Sequence, residues 1–458
     1  MLPVLWRSEL VATTVLAWPL ILGGLAQVVM GAVDVMMIGR LGPDAVAASS
    51  LATSFLCLSL PVGFGLGAAV SAMAAIALGR GLHRVRETRR TARQAFWIIV
   101  LSVIPVWFGM SYAENFFLAI GQQPLLAVMA ADYVQVSLWG MLPLWGFLVL
   151  RSLCTTLGYP LVSMVVAAVA IPLNAALNWI LIYGNAGCES LGIKGAALAT
   201  VTVDILMCLA LFLYVLVHPR LRRFGLFVDI WRHDWSRFFE LLRFAVPVVV
   251  AYGLEFCAFT TATFMMGLVG PLELAAHAIV INVTTVLYMV PVGLSQAATV
   301  RVGLARGALS TAAITRAGWV PLSMGMAFMA LCAACVVLFP DVIVALFMGK
   351  NTRGSEQVLG LATAYLQICA LFQIFDGIQS VSSGVLRGLK DAIVPMICMG
   401  TGFWVLGLPL AALMAFPLGL GGAGIWYGLA IGLGCVALML MVRWIRRDRW
   451  AMLCVSAR

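Results

Sequence analysis

The residues "MMIGRLGP" at 36–43 recur as "FMMGLVGP" at 264–271, which is 228 positions further along the chain. The letters that the two stretches share are chiefly Gly and Pro. Because these residues fix turns and kinks, the match indicates one backbone shape that is used twice. The same offset places Pro19 on Pro247. We therefore interpret the chain as two copies of one structural repeat.

The composition indicates where this repeat folds. Hydrophobic residues make up 63 % of the 458 residues and charged residues only 10 %, whereas a soluble domain carries about 25 % charged residues. About twelve apolar runs are each long enough to span a bilayer. They lie roughly at 10–37, 46–78, 94–113, 124–150, 159–184, 193–217, 241–268, 275–304, 315–340, 355–386, 392–416 and 421–444. The sequence thus predicts an all-α integral membrane protein with 12 transmembrane helices.

Each copy of the repeat contains six of these runs. An even number of crossings returns the chain to the side where it began, so the two copies are parallel and related by an axis along the membrane normal. We expect two pseudo-symmetric six-helix lobes around a central cavity. The N-terminal lobe covers 1–217, a cytoplasmic linker covers 218–240, and the C-terminal lobe with its basic tail covers 241–458.

The basic residues predict the orientation in the membrane. They concentrate in alternate connections, so that 24 of the 28 Lys and Arg residues fall on one side. The four on the other side are Arg40, Lys194, Lys350 and Arg353. The positive-inside rule then places both termini in the cytoplasm of a multi-pass inner-membrane protein. This bias accounts for the net charge of +10, and we expect no nucleic-acid partner.

Four carboxyl groups interrupt the apolar runs: Asp34, Asp204, Glu255 and Asp376. A charge at mid-bilayer costs about 2.5–3.5 kcal/mol on insertion scales, so such residues normally face a cavity or a partner. We expect no Lys or Arg at the same depth to pair with them. A cavity-facing carboxyl can take up a proton or an alkali cation, or it can bind a cationic ligand. The alternative is a neutral, hydrogen-bonded structural group.

The neighbours of these carboxyls suggest two kinds of site. In the N-terminal half, Asn174 and Asn178 lie one turn apart on one helix face, and with Asp34 they would form an oxygen-rich site. In the C-terminal half, aromatic and amide residues lie one turn from a carboxyl, an arrangement that suits a lipophilic cation. They are Tyr252 and Phe259 around Glu255, and Phe372 and Gln373 before Asp376. Ordinary helix packing remains the alternative for each of them.

At these residues the sequence resembles the MATE family of multidrug and toxic compound extrusion transporters, in its NorM-like branch. The resemblance runs over essentially the whole chain. It rests on "VDVMMIGRLG" (33–42), "PLNAALNWIL" (172–181), the glutamate Glu255, "ELAAHAIVIN" (273–282), "VPVGLSQAATVRVG" (290–303) and "FDGIQSVSSGVLRGLKDAIVP" (375–395). It implies two six-helix lobes and the export of cationic, often aromatic compounds in exchange for sodium ions or protons.

The resemblance also implies roles for single residues. The ion-coupling positions of the family fall on Asp34, Asn174, Asn178, Glu255 and Asp376. Its aromatic position in the eighth helix is Tyr288, which joins Tyr252, Phe259, Phe372 and Gln373 as a substrate-binding candidate. Some relatives carry a tyrosine where this chain has Phe372. That departure weakens the case for a sodium ion at Glu255 and Asp376, compared with one at Asp34, Asn174 and Asn178.

Together these features predict a secondary active multidrug efflux transporter that works by alternating access. We expect small cationic organic compounds and the lipid bilayer as partners, a monomer, and no cofactor beyond the coupling ion, which is H⁺ or Na⁺. A flippase for a lipid-linked saccharide precursor is the alternative, although such flippases carry extra helices or several cavity-facing Lys and Arg. We do not expect an enzyme, because the four histidines form no catalytic set. The coupling ion and the role of Asp204 stay open.

Overall fold

The computed structural model of the chain describes residues 2–81, 83–187, 189–226, 228, 231, 234–347 and 355–447. Within these ranges there are twelve helices long and apolar enough to cross a membrane, and no strand. Labelled α1 to α12, they cover Val4–Leu41, Pro43–Arg80, Arg84–Met110, Pro124–Thr156, Pro160–Tyr183, Gly192–Val217, Trp235–Val269, Pro271–Gly307, Thr311–Leu338, Gln357–Gly388, Ile393–Ala415 and Gly421–Ile445. The predicted all-α membrane fold is confirmed. Lys350, Arg353, part of the predicted linker and the tail beyond Arg447 lie outside the described residues.

The repeated Gly-Pro pair forms the sharp turn between the first two helices of each copy. Gly42 has a φ of 116°, a backbone conformation that residues with a Cβ rarely adopt. Pro43 then begins α2 and Pro271 begins α8. Proline is well suited to the first turn of a helix, because its missing N–H would have no intrahelical partner there. The dipeptide therefore ends one helix and starts the next.

Two spans contain local departures from the α-helix. The middle of α4 is a 3₁₀ turn at Leu138–Gly140. The middle of α11 is a π-helix at Gly400–Gly407, directly before Pro409. Proline has no N–H and its ring clashes with the carbonyl four residues earlier, so a wider turn accommodates it.

The chain divides into two compact units whose boundaries fall inside helices. The N-terminal unit is Leu22–Val249, and the C-terminal unit is Met1–Ile21 together with Val250–Arg458. The two boundaries, within α1 and within α7, are 228 residues apart. They therefore fall at equivalent positions of the repeat.

In the N-terminal unit, a core of aliphatic and aromatic side chains joins α4, α5 and α6. Its buried members are Phe147, Leu148, Leu150, Ala170, Val203, Met207 and Leu211. This core fixes α5 and α6 next to each other. It thereby sets the position of the polar residues that both helices carry on their buried faces.

In the C-terminal unit, small residues bring α8 and α10 into backbone contact. A Cβ on Gly384 would fall on the backbone of Ser295. The Ser295 hydroxyl donates to the Ser380 carbonyl at 2.6 Å, and the Thr299 hydroxyl donates to the Gly384 carbonyl at 2.9 Å. This close pairing holds the polar face of α10 against α8.

Candidate functional site

A hydrogen-bonded group of polar side chains surrounds Asp34 in the N-terminal unit. The Asn178 amide donates to Asp34 Oδ1 at 2.6 Å and to Asn174 Oδ1 at 3.0 Å. The Thr200 hydroxyl lies 3.4 Å from Asp34 Oδ2. Both asparagines are completely buried. The structure thus brings together the three predicted residues from α1 and α5 and adds Thr200 from α6, which the sequence analysis missed.

This group offers chiefly oxygen atoms. The carboxylate, two amide carbonyls and a hydroxyl are the kind of hard ligands that alkali cations prefer, and the carboxylate can alternatively take a proton. The Asn178 Oδ1 and Asn174 Nδ2 atoms are buried without a hydrogen-bond partner in the described part of the chain. Such orphaned groups are uncommon in folded proteins and indicate a place for a ligand or a water. Across the described residues, no group of three or more His, Cys, Asp or Glu side chains could hold a metal ion.

Asp204 lies one turn beyond Thr200 on α6. Its side chain is buried, and one carboxylate oxygen packs 3.4 Å from the point where a Cβ on Gly140 would be. It is close enough to Asp34 for the two charges to repel. The place of Asp204 beside the Asp34 group is therefore defined, while its role remains open.

In the C-terminal unit, Glu255 lines a small cavity formed by α7, α8 and α10. The Tyr288 hydroxyl donates to Glu255 Oε1 at 3.0 Å. The void has about 250 Å³ of space, part of which is open to the surroundings. Its walls are Tyr252, Glu255, Tyr288, Val292, Ser295, Gln379, Ser380, Ser383 and Arg387. The predicted residues Glu255, Tyr252 and Tyr288 therefore share one cavity.

A stripe of buried polar residues runs along α10. Its members recur at intervals of three and four residues, which is the spacing of one helix face. They are Gln373, Asp376, Ser380, Ser383 and Arg387. Asp376 lies within electrostatic range of Glu255, although the cavity walls do not include it. Both amide atoms of Gln373 lack a partner among the described residues.

The expectation that no basic group lies near the buried carboxyls is wrong for the C-terminal unit. The Arg387 guanidinium lines the same cavity as Glu255 and is buried. It donates to the Tyr252 hydroxyl and to the Ser295 hydroxyl, each at 2.8 Å. Arg387 stands near the end of its apolar run, which suggested a position at the membrane surface. The signal that would have placed it inside is its helical spacing from Asp376.

Two of the predicted substrate-binding aromatics lie in the apolar core. Phe372 is 2 % exposed. It packs edge-on against Phe259 and Trp426, with ring centroids 5.9 and 5.7 Å apart. Tyr252 and Tyr288 are the aromatic residues of the cavity wall. Phe259 and Phe372 therefore support the wall from behind in this structure.

Comparisons with known proteins assign the family. The MatE family model matches residues 19–180 and 247–413, and these two segments begin 228 residues apart, the offset of the sequence repeat. A probable multidrug resistance protein NorM of Mesorhizobium japonicum is 44 % identical over 98 % of this chain and 96 % of its own length. Its counterpart in Brucella suis is 43 % identical over 96 % and 94 %. The chain belongs to the MatE family.

Solved structures agree with this MATE fold. A eukaryotic MATE transporter superposes with a TM-score of 0.86 at 21 % identity, covering 98 % of this chain and 100 % of that one. A MOP-superfamily transporter from Pyrococcus furiosus gives a TM-score of 0.85 at 19 % identity, covering 97 % and 96 %. The predicted family and fold class are confirmed. This MATE protein is a multi-pass membrane protein.

Proposed function

We propose that this MATE protein is a secondary active efflux transporter that exports small cationic, lipophilic or aromatic compounds in exchange for protons or sodium ions. Its relatives in Mesorhizobium japonicum and Brucella suis are described as probable multidrug resistance proteins. The observation that carries the proposal is the buried Asp34 group, in which Asn178 donates to a carboxylate within an apolar helix. An intramembrane carboxyl with polar neighbours is typical of ion-coupled transport.

In this proposal Asp34, Asn174, Asn178 and Thr200 form the coupling site of the N-terminal unit. Loss of the Asp34 charge, either by protonation or by a bound sodium ion, changes what the Asn178 amide and the Thr200 hydroxyl can bond to. Rearrangement of these bonds gives α1, α5 and α6 different preferred positions with and without the ion. A difference of this kind lets an ion gradient shift a conformational equilibrium.

Glu255 and Asp376 attract the organic cation to the C-terminal unit. The cation contacts the rings of Tyr252 and Tyr288 and pairs with the Glu255 carboxylate, which lowers the cost of burying either charge. A proton or sodium ion that reaches these carboxyls removes the attraction and favours release. Binding of the ion and of the cation are then negatively coupled, as exchange requires.

We place the protein in the inner membrane of the cell with both termini in the cytoplasm, acting as a monomer. The distribution of basic residues supports this orientation. The alternative of a saccharide flippase calls for several basic groups in the cavity, and the walls of the C-terminal cavity contain one, Arg387.

The experiment that tests the function is reconstitution in liposomes loaded with a fluorescent organic cation. Efflux is driven in turn by a pH gradient, by a sodium gradient and by neither. We expect efflux with at least one gradient and none without. Loss of transport in Asp34→Asn, with normal insertion, identifies the coupling group. Equal release in the absence of any gradient would contradict the proposal.

A further inference from the structure

Arg387 holds a positive charge inside the C-terminal unit without a carboxylate to balance it directly. The side chain is 6 % exposed. Two of its N–H groups are bonded to the Tyr252 and Ser295 hydroxyls, and its Nε atom is buried without a partner. Within the described ranges, no carboxylate oxygen lies within 4 Å of this guanidinium. Buried arginines are normally paired, because an isolated buried charge is costly.

The contacts around Arg387 hold the guanidinium but do not neutralise it. Tyr252 and Ser295 offer neutral hydroxyls, and the Tyr252 ring lies 5.1 Å from the guanidinium carbon. A cation–π contact and two hydroxyl bonds orient a cation at modest energy. A guanidinium has five N–H donors in a planar fork that matches a carboxylate. This arrangement therefore leaves donors ready for an anion.

The same cavity contains the opposite charge. Glu255 lies in its wall with Arg387, and Tyr252 stands between them in sequence on α7 and in hydrogen-bond contact with the arginine. Ser380, Ser383 and Gln379 add neutral hydrogen-bonding groups to the wall. A cavity with one acidic and one basic pole complements a molecule that carries both charges.

We propose that Arg387 forms an anion-binding subsite in the C-terminal cavity, so that the protein binds organic zwitterions. The ammonium or iminium end of such a ligand pairs with Glu255, and its carboxylate accepts a forked pair of hydrogen bonds from Arg387. This inference rests on the proposed transport function for its physiological meaning, but binding can be measured without transport.

The test uses two dyes that differ by one methyl group. Rhodamine 110 carries a free carboxylate beside its cationic xanthene ring, and rhodamine 123 is its methyl ester. Binding of each dye to the purified protein is measured by fluorescence anisotropy for the parent and for Arg387→Gln, Arg387→Lys, Ser295→Ala and Arg316→Gln. The Arg316 variant removes an equal charge outside the cavity and serves as the control.

We expect Arg387→Gln to weaken binding of rhodamine 110 at least about tenfold more than binding of rhodamine 123, because a hydrogen bond to a charged group is lost only with the carboxylate dye. Arg387→Lys keeps the charge but loses the fork, so it should lose part of the preference. Ser295→Ala and Arg316→Gln should keep it. The Lys and Ala variants retain a testable prediction if Arg387→Gln does not fold.

A purely structural clamp between α7, α8 and α10 gives different results. In that case Arg387→Gln and Ser295→Ala weaken both dyes equally, and this outcome overturns the inference. An unchanged ratio of the two affinities in Arg387→Gln and Arg387→Lys also overturns it. Normal binding selectivity with no gradient-driven efflux of either dye would instead contradict the proposed function while leaving the anion subsite supported.

Discussion

At the scale of single residues, one amide group organises the N-terminal site. The Asn178 Nδ2 atom donates both to Asp34 and to Asn174. Both bonds use the same amide nitrogen, so the Asn178 carbonyl oxygen remains buried and without a partner among the described residues. A bound alkali cation would satisfy this oxygen and the Asp34 carboxylate together. The geometry therefore couples the charge of Asp34 to the position of α5.

We predict that Asp34→Asn abolishes gradient-driven export. The substitution keeps the shape of the side chain but removes its charge, so neither a proton nor a sodium ion is exchanged at this site. Efflux from liposomes measures the effect, and Asp44→Asn, an exposed carboxyl in the first turn of α2, is the control. Normal transport by Asp34→Asn under both gradients would show that Asp34 has only a structural role.

A second prediction at this scale concerns the pH dependence of ligand binding in the C-terminal cavity. Glu255 and Asp376 attract a cation only when ionised, so affinity for a lipophilic cation should rise between pH 5 and pH 8. The double variant Glu255→Gln with Asp376→Asn should lose most of this dependence. The Arg387 charge and the Tyr252 and Tyr288 hydroxyls face Glu255 and remain unchanged in the variant. Equilibrium binding of one permanently charged dye is the measurement.

An unaltered pH profile in the double variant would assign the coupling entirely to Asp34. Neutral ligands provide the comparison, since they should lose less affinity than cations. The opposite pattern, with neutral ligands more affected, would show that the two residues support the fold of the cavity.

Residue types alone were sufficient to predict Asp34, Asn174, Asn178 and Glu255 as site residues, because polar groups in apolar helices need a reason. Thr200 and Arg387 were not predicted. Threonine is common in membrane helices, where its hydroxyl can bond to its own backbone. Arginine near the end of an apolar run normally reaches the membrane surface, and only the packing of α8 against α10 shows that Arg387 is buried.

At the scale of helices, glycines determine how closely α11 and α12 approach. A Cβ on Gly428 would fall on the backbone of Ala411, and one on Gly402 would fall on the Val436 side chain. Gly407 and Gly432 lie at the same contact. Small residues at such positions allow membrane helices to pack through their backbones. The sequence predicted both helices, but the π-helix within α11 depends on the local effect of Pro409 and was not foreseen.

We therefore predict that Gly428→Ala destabilises the protein by about 1–3 kcal/mol, the usual cost of overpacking a close contact. Gly360→Ala is the matched control, since a Cβ there would meet no atom within 4 Å. Alanine in a helix is favoured over glycine by up to about 1 kcal/mol, so the control should be neutral or slightly stabilising. Thermal unfolding in detergent compares the two variants. Equal melting temperatures would contradict the close approach of α11 and α12.

A cluster of charges attaches the start of α7 to α3. Arg90 donates to Asp234 at 2.5 Å and to Glu87 at 2.8 Å, and Arg237 donates to Glu240 and to the Thr91 hydroxyl, each at 2.8 Å. Asp234 lies just before α7, outside the membrane-spanning segments. The hydrogen bond from Arg90 holds the pKa of the Asp234 carboxyl below its usual value. The stabilisation is therefore present above about pH 4 and is lost as the pH falls through the lowered pKa.

From this sign we predict that Asp234→Asn lowers the melting temperature at pH 7 and that the difference from the parent shrinks below pH 4. The change at pH 7 should correspond to no more than about 1 kcal/mol, because the cluster is partly exposed. The double variant with Arg90→Gln should add little to the single variant if the two residues act as a pair. A difference that stays constant from pH 7 to pH 3 would show that the charge of Asp234 contributes nothing.

At the scale of the whole molecule, the repeat is visible at three levels. The Gly-Pro turns at Gly42 and Gly270 are 228 residues apart, as are the starts of the two MatE segments. The boundaries between the compact units, after Ile21 and after Val249, show the same spacing. The exchange of the first half of α1 and the first half of α7 between units could not be predicted from the sequence, because apolar periodicity does not say which neighbours a helix packs against.

The last prediction concerns the orientation of the whole chain. Arg86 is exposed at the start of α3 and Gln123 is exposed directly before α4, so a single membrane crossing separates them. Because 24 of the 28 basic residues lie on the side of Arg86, the positive-inside rule places Arg86 in the cytoplasm and Gln123 outside. We expect a membrane-impermeant maleimide to label Gln123→Cys on intact cells and Arg86→Cys only after permeabilisation, each in a background without the 11 native cysteines. Labelling of both from one side would contradict the twelve-helix topology. The reversed pattern would keep the helices but place the termini outside, and the direction of transport would have to be reassigned.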